Sequence, residues 1–211
     1  QIEKDKILLL TGLINYNTSF LKNILVSEFD LVHSIVFNNE IDNINFNDFD
    51  SIVLDNFPNS IYQLDILNKL YLLDIPIIFF EGSNSDLYYI DSLLKLTYKD
   101  NFYLERGVFK DKNLLINDFE IGPVRSSYNF FLDGEKISSS INLFSNNSVA
   151  LIIGKQISLF LIPNISEIDF YFKNRYNNHY LSEYISFLIK QQSNNRLINF
   201  KLKKNNYLKG E

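Results

Sequence analysis

The chain has 211 residues, a net charge of −5 from 20 basic and 25 acidic side chains, and an apolar fraction of 46%. That size suits one domain or one domain with a tail, and folding buries enough surface that no staple is needed. The mild acidity argues against sequence-independent nucleic-acid binding, and the absence of Cys excludes disulfides, thiolate metal sites and thiol nucleophiles.

The chain begins with Gln1, holds no Met, and ends in Tyr207-Leu208-Lys209-Gly210-Glu211, which reads as a piece of a larger protein cut inside a further domain. Lys6–Leu10 (KILLL), closed by Thr11-Gly12, has the continuous apolar run of a strand buried on both faces. Asn17-Thr18-Ser19 supplies capping chemistry for a helix over 18–27, with Phe20, Leu21, Ile24 and Leu25 on one face. Asp30–Phe37 is the second strand, and 38–48 is polar loop. Ser51–Leu54 is the third strand, followed by a helix over 60–73. Ile75–Phe80 (IPIIFF) is the fourth strand, and a helix capped by Asn84 or Ser85 follows to about Leu96. This alternation with short connections predicts an α/β fold: a three-layer, doubly wound, mostly parallel sheet.

Residues 99–145 change character. Gly107, Gly122-Pro123 and Asp133-Gly134 interrupt short runs, predicting a β-rich insertion or antiparallel edge. Ser148–Ile153 and Gln156–Ile162, separated by Gly154-Lys155, predict a hairpin. Leu181, Tyr184, Ile185, Leu188 and Ile189 mark a helix over 179–192. The α/β domain is thus expected over 1–192, with 193–211 a linker and the start of a following β domain. No apolar run reaches the ~18 residues of a membrane span.

In doubly wound folds, ligands bind outside the carboxyl ends of the strands. That rule selects Thr11, Gly12, Asn15, Asp55, Asn56, Glu81, Gly82, Ser83 and Asn164 as a candidate crevice. Glu81-Gly82-Ser83-Asn84-Ser85 stands where a nucleophile elbow would stand, but it matches G-x-S-x-G poorly. A triad also needs a His base. Only His33, in an apolar strand, and His179, ahead of the last helix, exist, and both read as structural or surface residues. Asp42–Asp48 lacks the ligand spacing and Gly of a calcium loop, nothing has H-E-x-x-H spacing, and the single Gly of the first turn rules out Walker A and G-x-G-x-x-G. No cofactor and no metal are expected. Three Asn-x-Ser patterns, at Asn17, Asn146 and Asn164, are treated as chance in an Asn-rich chain.

Lys6–Gly12 (KILLLTG), Asn17–Lys22, Phe49–Asp55 and Ile75–Gly82 (IPIIFFEG) together resemble the class I glutamine amidotransferase-like domains, a flavodoxin-like architecture. The version resembled is the one inside large bacterial cell-envelope proteins, beside von Willebrand A or immunoglobulin-like modules. Val149–Pro163 and the helix over 179–192 are similar to how such domains finish, so the resemblance spans about residues 5–192. Active members of that family place a Cys at the elbow and a His-x-Glu after a late strand. This chain has no Cys, and Pro163-Asn164-Ile165-Ser166-Glu167 carries no His. The resemblance therefore implies a catalytically silent form, used as a structural or interaction module whose partners are other domains of the same polypeptide or another protein. The alternative expectation is a small-ligand-binding or degenerate hydrolase domain working through the crevice.

Overall fold

A computed structural model describes residues 4–36, 44–73, 75–83, 85, 87–94, 102–116, 119–132, 141–154, 156–176 and 179–193. The expected linker and tail strand, most of the 38–48 loop, Asn84 and the Asp133-Gly134 turn lie outside them.

In chain order the strands are β1 (Lys6–Thr11), β2 (Asp30–Ile35), β3 (Ser51–Asp55), β4 (Ile77–Phe80), β5 (Phe102–Ile116), β6 (Phe119–Leu132), β7 (Ile141–Leu143), β8 (Val149–Ile152) and β9 (Ile157–Phe160). Seven of them form one sheet in the order β2-β1-β3-β4-β9-β8-β7. The pairings from β2 through β9 are parallel, and β9-β8-β7 continue antiparallel. The sheet is mostly parallel with helices on both sides, as the alternation of elements predicts. The central strands read as unbroken apolar runs because consecutive side chains enter different cores. Ile7, Leu9, Val53, Ile78 and Phe80 face one core, closed by α1 (Tyr16–Glu28), α4 (Ile165–Tyr176) and α5 (Tyr180–Ser193). Leu8, Leu10, Ile52, Leu54, Ile77 and Phe79 face the other, closed by α2 (Leu64–Tyr71) and α3 (Leu87–Leu94).

Several boundaries depart from the sequence reading. Helix α1 is capped by Asn15, whose side chain accepts from Thr18 N–H, while the Thr18 hydroxyl accepts from Asn15 N–H. The expected cap, Asn17, is instead buried in the first turn. Its amide donates to Pro163 O at 2.6 Å and accepts from Ser166 N–H and Oγ, joining α1 to the start of α4. The single helix expected over 60–73 is a 3₁₀ turn (Ile61–Gln63) leading into the shorter α2. Helix α4 fills the stretch directly after Pro163-Asn164, where the sequence reading bounds a helix only over 179–192.

The insertion is an antiparallel arm of the two long strands β5 and β6, which form a sheet of their own. Its inner side chains Leu114, Ile121, Val124 and Phe130 are fully buried against the body. Among the described residues, no helix is long and apolar enough to cross a membrane.

Candidate functional site

The β1 and β3 ends carry the ionisable centre of the crevice. Thr11 closes β1, Asp55 closes β3, and parallel register sets them side by side. Asp55 is 1% exposed, and its Oδ2 accepts from Thr18 Oγ1 at 2.5 Å and from Thr11 Oγ1 at 3.3 Å. Its Oδ1 is buried with no hydrogen-bond partner among the described residues. Burial pushes the carboxyl up to about 6, against the downward pull of the two hydroxyls.

His33 completes the cluster from the edge strand. It pairs with Leu9 in register, and its Nε2 lies 3.1 Å from Thr11 Oγ1. With Thr11 donating to Asp55, Nε2 is the nitrogen that carries the hydrogen. Burial, then the charge of Lys22, hold His33 below its usual range. Strand β2 stands three strand spacings from β4, roughly 14 Å, so His33 serves Thr11 rather than the turn after β4. His179 is exposed ahead of α5, where its carbonyl accepts from Glu183 N–H and Ser182 Oγ.

The turn after β4 is organised around Asn56. This residue is fully buried and sits at φ 51°, in the left-handed region where Asn is tolerated. Its amide donates to Leu13 O at 3.1 Å, and its Oδ1 accepts from Ser85 Oγ at 3.4 Å. Ser85 Oγ in turn accepts from Gly82 N–H at 2.8 Å. Gly12 and Gly82 flank it with no room for a side chain. A Cβ on Gly12 would lie 2.4 Å from Asn56 O, and one on Gly82 would lie 2.2 Å from Asn56 Oδ1. Both glycines of the candidate crevice are therefore explained by the close approach of Asn56. Ser83, the sequence candidate for an elbow hydroxyl, is exposed, and Ser85 is the hydroxyl turned inward.

Asn164 belongs to a different contact. Its backbone carbonyl accepts from Ile168 N–H in the first turn of α4. Its side chain donates to Pro123 O at 3.1 Å and accepts from Arg125 N–H at 3.3 Å, gripping β6. Glu81, buried at the end of β4, acts electrostatically on Lys112 from β5. Lys112 is 3% exposed, and burial brings its ammonium down to about 8, with Glu81 pulling the other way. It donates to Asn129 Oδ1, which also accepts from Ser148 Oγ at 3.2 Å. Thr18, Ser85, Lys112, Asn129 and Ser148 are thus added to the crevice surroundings beyond the sequence candidates. Among the described residues, no three His, Cys, Asp or Glu side chains gather as metal ligands.

No family model matches the chain, and no curated protein sequence matches it. Among solved structures, the chain is similar to a glutamine amidotransferase from Thermotoga maritima, at 8% identity and a TM-score of 0.54, covering 90% of this chain and 99% of that one. It is also similar to a GMP synthase-type protein from Thermoplasma acidophilum, at 12% identity and a TM-score of 0.46, covering 90% of this chain and 100% of that one. The first likeness establishes the fold as glutamine amidotransferase-like and says nothing of activity.

Proposed function

We propose that this chain is a non-catalytic glutamine amidotransferase-like module, serving as a structural or interaction unit of a larger envelope-associated protein. The observation that supports this reading best is Asn56. It fills the corner between the ends of β1, β3 and β4, where a doubly wound fold ordinarily seats its ligand. No cysteine is available as nucleophile, His33 is engaged with Thr11 on the far side of the corner from the turn after β4, and His179 is exposed ahead of α5.

Around that filled corner the loops present apolar side chains to solvent. Leu13, Ile14 and Tyr16 follow β1, Ile61 and Tyr62 follow β3, and Tyr88 opens α3 after β4. Tyr16 is 87% exposed and Tyr62 is 70% exposed. Tyrosines with aliphatic neighbours on one edge have the composition of a contact surface. The partner is another domain of the same polypeptide or a second protein. A photo-crosslinking residue in place of Tyr16 or Tyr62, in the full-length protein in its own cells, tests this. Crosslinks to protein are expected there and not at Leu72, which is 83% exposed beyond the opposite end of the sheet. Equal capture at all three positions contradicts the reading. The envelope assignment is tested by fractionation of the same cells, and recovery in the soluble cytosol contradicts it.

A second reading, a small-ligand-binding or degenerate hydrolase domain, draws support from the buried Asp55 carboxylate with one unpartnered oxygen. Thermal-shift screening with nucleotides, sugars and amino acids separates the two. Stabilisation that Asp55→Asn abolishes favours the second.

A further inference from the structure

The carboxyl edge of the sheet is closed differently in its two halves. Asn56 fills the half made by β1, β3 and β4, whereas the β5–β6 arm lies across the ends of β4, β9, β8 and β7. Among the described residues, its fastenings sit on that edge. Leu114 bridges Phe144, and Phe131 bridges Ser148, at the turn joining β7 to β8. Asn113 N–H donates to Ser145 Oγ at 3.1 Å, and Ser145 N–H donates to Asn113 O at 2.7 Å. Asn164, just after β9, holds Pro123 and Arg125. Lys112 feels the charge of Glu81, just after β4.

The seam beneath the arm mixes two kinds of surface. Leu114, Ile121, Val124 and Phe130 hold it shut by apolar burial. Among them lie an ammonium, an amide and a hydroxyl, all nearly inaccessible: Lys112, Asn129 and Ser148. The Lys112 ammonium also lies 4.1 Å from the centre of the Phe144 ring. Such groups lose hydration when the seam closes and recover it when the seam opens. A wholly apolar seam of the same shape would resist opening more strongly. Among the described residues, the arm is also joined to the body by isolated bridges, unlike β1, β3 and β4, which are laddered on both sides.

We propose that the β5–β6 arm is a strap that lifts from the body as a unit, uncovering Lys112 and Ser148 at the turn joining β7 to β8 while the parallel sheet stays folded. This goes beyond the proposed function, since a docking module and a ligand-binding domain would both accommodate it.

The cysteine-free chain makes a clean test. Asn113→Cys with Ser145→Cys places a disulfide across the seam, and Lys112 is read by acylation with an amine reagent and mass spectrometry. In the unmodified chain, Lys112 should be acylated about tenfold or more faster than global unfolding allows. The oxidised staple should slow it by a similar factor, and reduction should restore it. Acylation no faster than global unfolding, or unaffected by the closed staple, overturns the proposal. If the staple does not form, hydrogen exchange of the unmodified chain decides. β6 amides that open about tenfold or more often than those of β1 and β3 support the strap, and a common opening for all three overturns it.

Discussion

The Thr18 hydroxyl, in the first turn of α1, points its proton at Asp55 Oδ2 across 2.5 Å, while its oxygen accepts from Asn15 N–H. One side chain thus caps the helix and solvates a carboxylate buried away from bulk water. The helix N-terminus adds its positive end to the same carboxylate. Even so, desolvation dominates and the carboxyl stays at about 6.

A raised carboxyl pKa means that the folded protein holds its proton where the unfolded chain has lost it. Stability should therefore fall as pH rises from about 4 to about 6, by on the order of 3 kcal/mol from this group. Asp55→Asn keeps the shape without the charge. It should flatten that part of the profile and leave the protein more stable than the parent at pH 8. Urea unfolding at several pH values between 3.5 and 8 checks this, and an unchanged slope would count against a buried titrating Asp55.

Two glycines lean on Asn56 in chemically different ways. Gly82→Ala meets the Asn56 side chain, and Gly12→Ala meets its backbone carbonyl. Each should destabilise by about 1–3 kcal/mol through overpacking. Asn56→Gly, compatible with the positive φ, should relieve most of the Gly82→Ala cost and none of the Gly12→Ala cost. A double-mutant cycle by thermal or urea unfolding measures the difference. Equal rescue of both would mean that the Asn56 side chain does not occupy the corner.

Lys112 titrates in the opposite sense. The folded protein releases its proton near 8 and the unfolded chain near 10.5, so the unfolded state holds more protons in between. Stability contributed by this group should rise with pH across that window. Lys112→Met keeps the stem within the arm's seam and should remove that rise. Unfolding midpoints at pH 8, 9 and 10 provide the check.

Asn17 ties the first turns of α1 and α4 through bonds to Pro163 and Ser166. Asn17→Ala leaves the Pro163 carbonyl and the Ser166 amide without that partner in a buried place. The expected cost is about 1–3 kcal/mol. Asn146→Ala, on an exposed turn, should cost less than Asn17→Ala in the same urea titration.

The parallel half of the sheet was legible because each central strand is buried on both faces. KILLL, SIVL and IPIIFF are apolar at nearly every position, a pattern that amphipathic helices and half-buried strands do not share. The rule of strand ends also led to Asp55, Asn56 and Glu81. Long-range choices were hidden. Asn17 looked like a cap because Asn commonly is one, and only the distant Pro163 and Ser166 explain its burial. Lys112 drew no notice in the sequence, since nothing local announces Asn129, Ser148 or Glu81. Helix α4 had no legible bounds because its inward Ile165, Ile168 and Phe172 are interleaved with the exposed Phe170 and Tyr171, which blur the apolar face.

The proposed function requires that the amidotransferase-like corner, filled by Asn56, be chemically silent. The most direct measurement is ammonia release from glutamine by the purified chain, beside the Asn56→Gly variant and a buffer blank. The account predicts blank-level release from both proteins. Turnover by the parent chain that Asn56→Gly alters would contradict it.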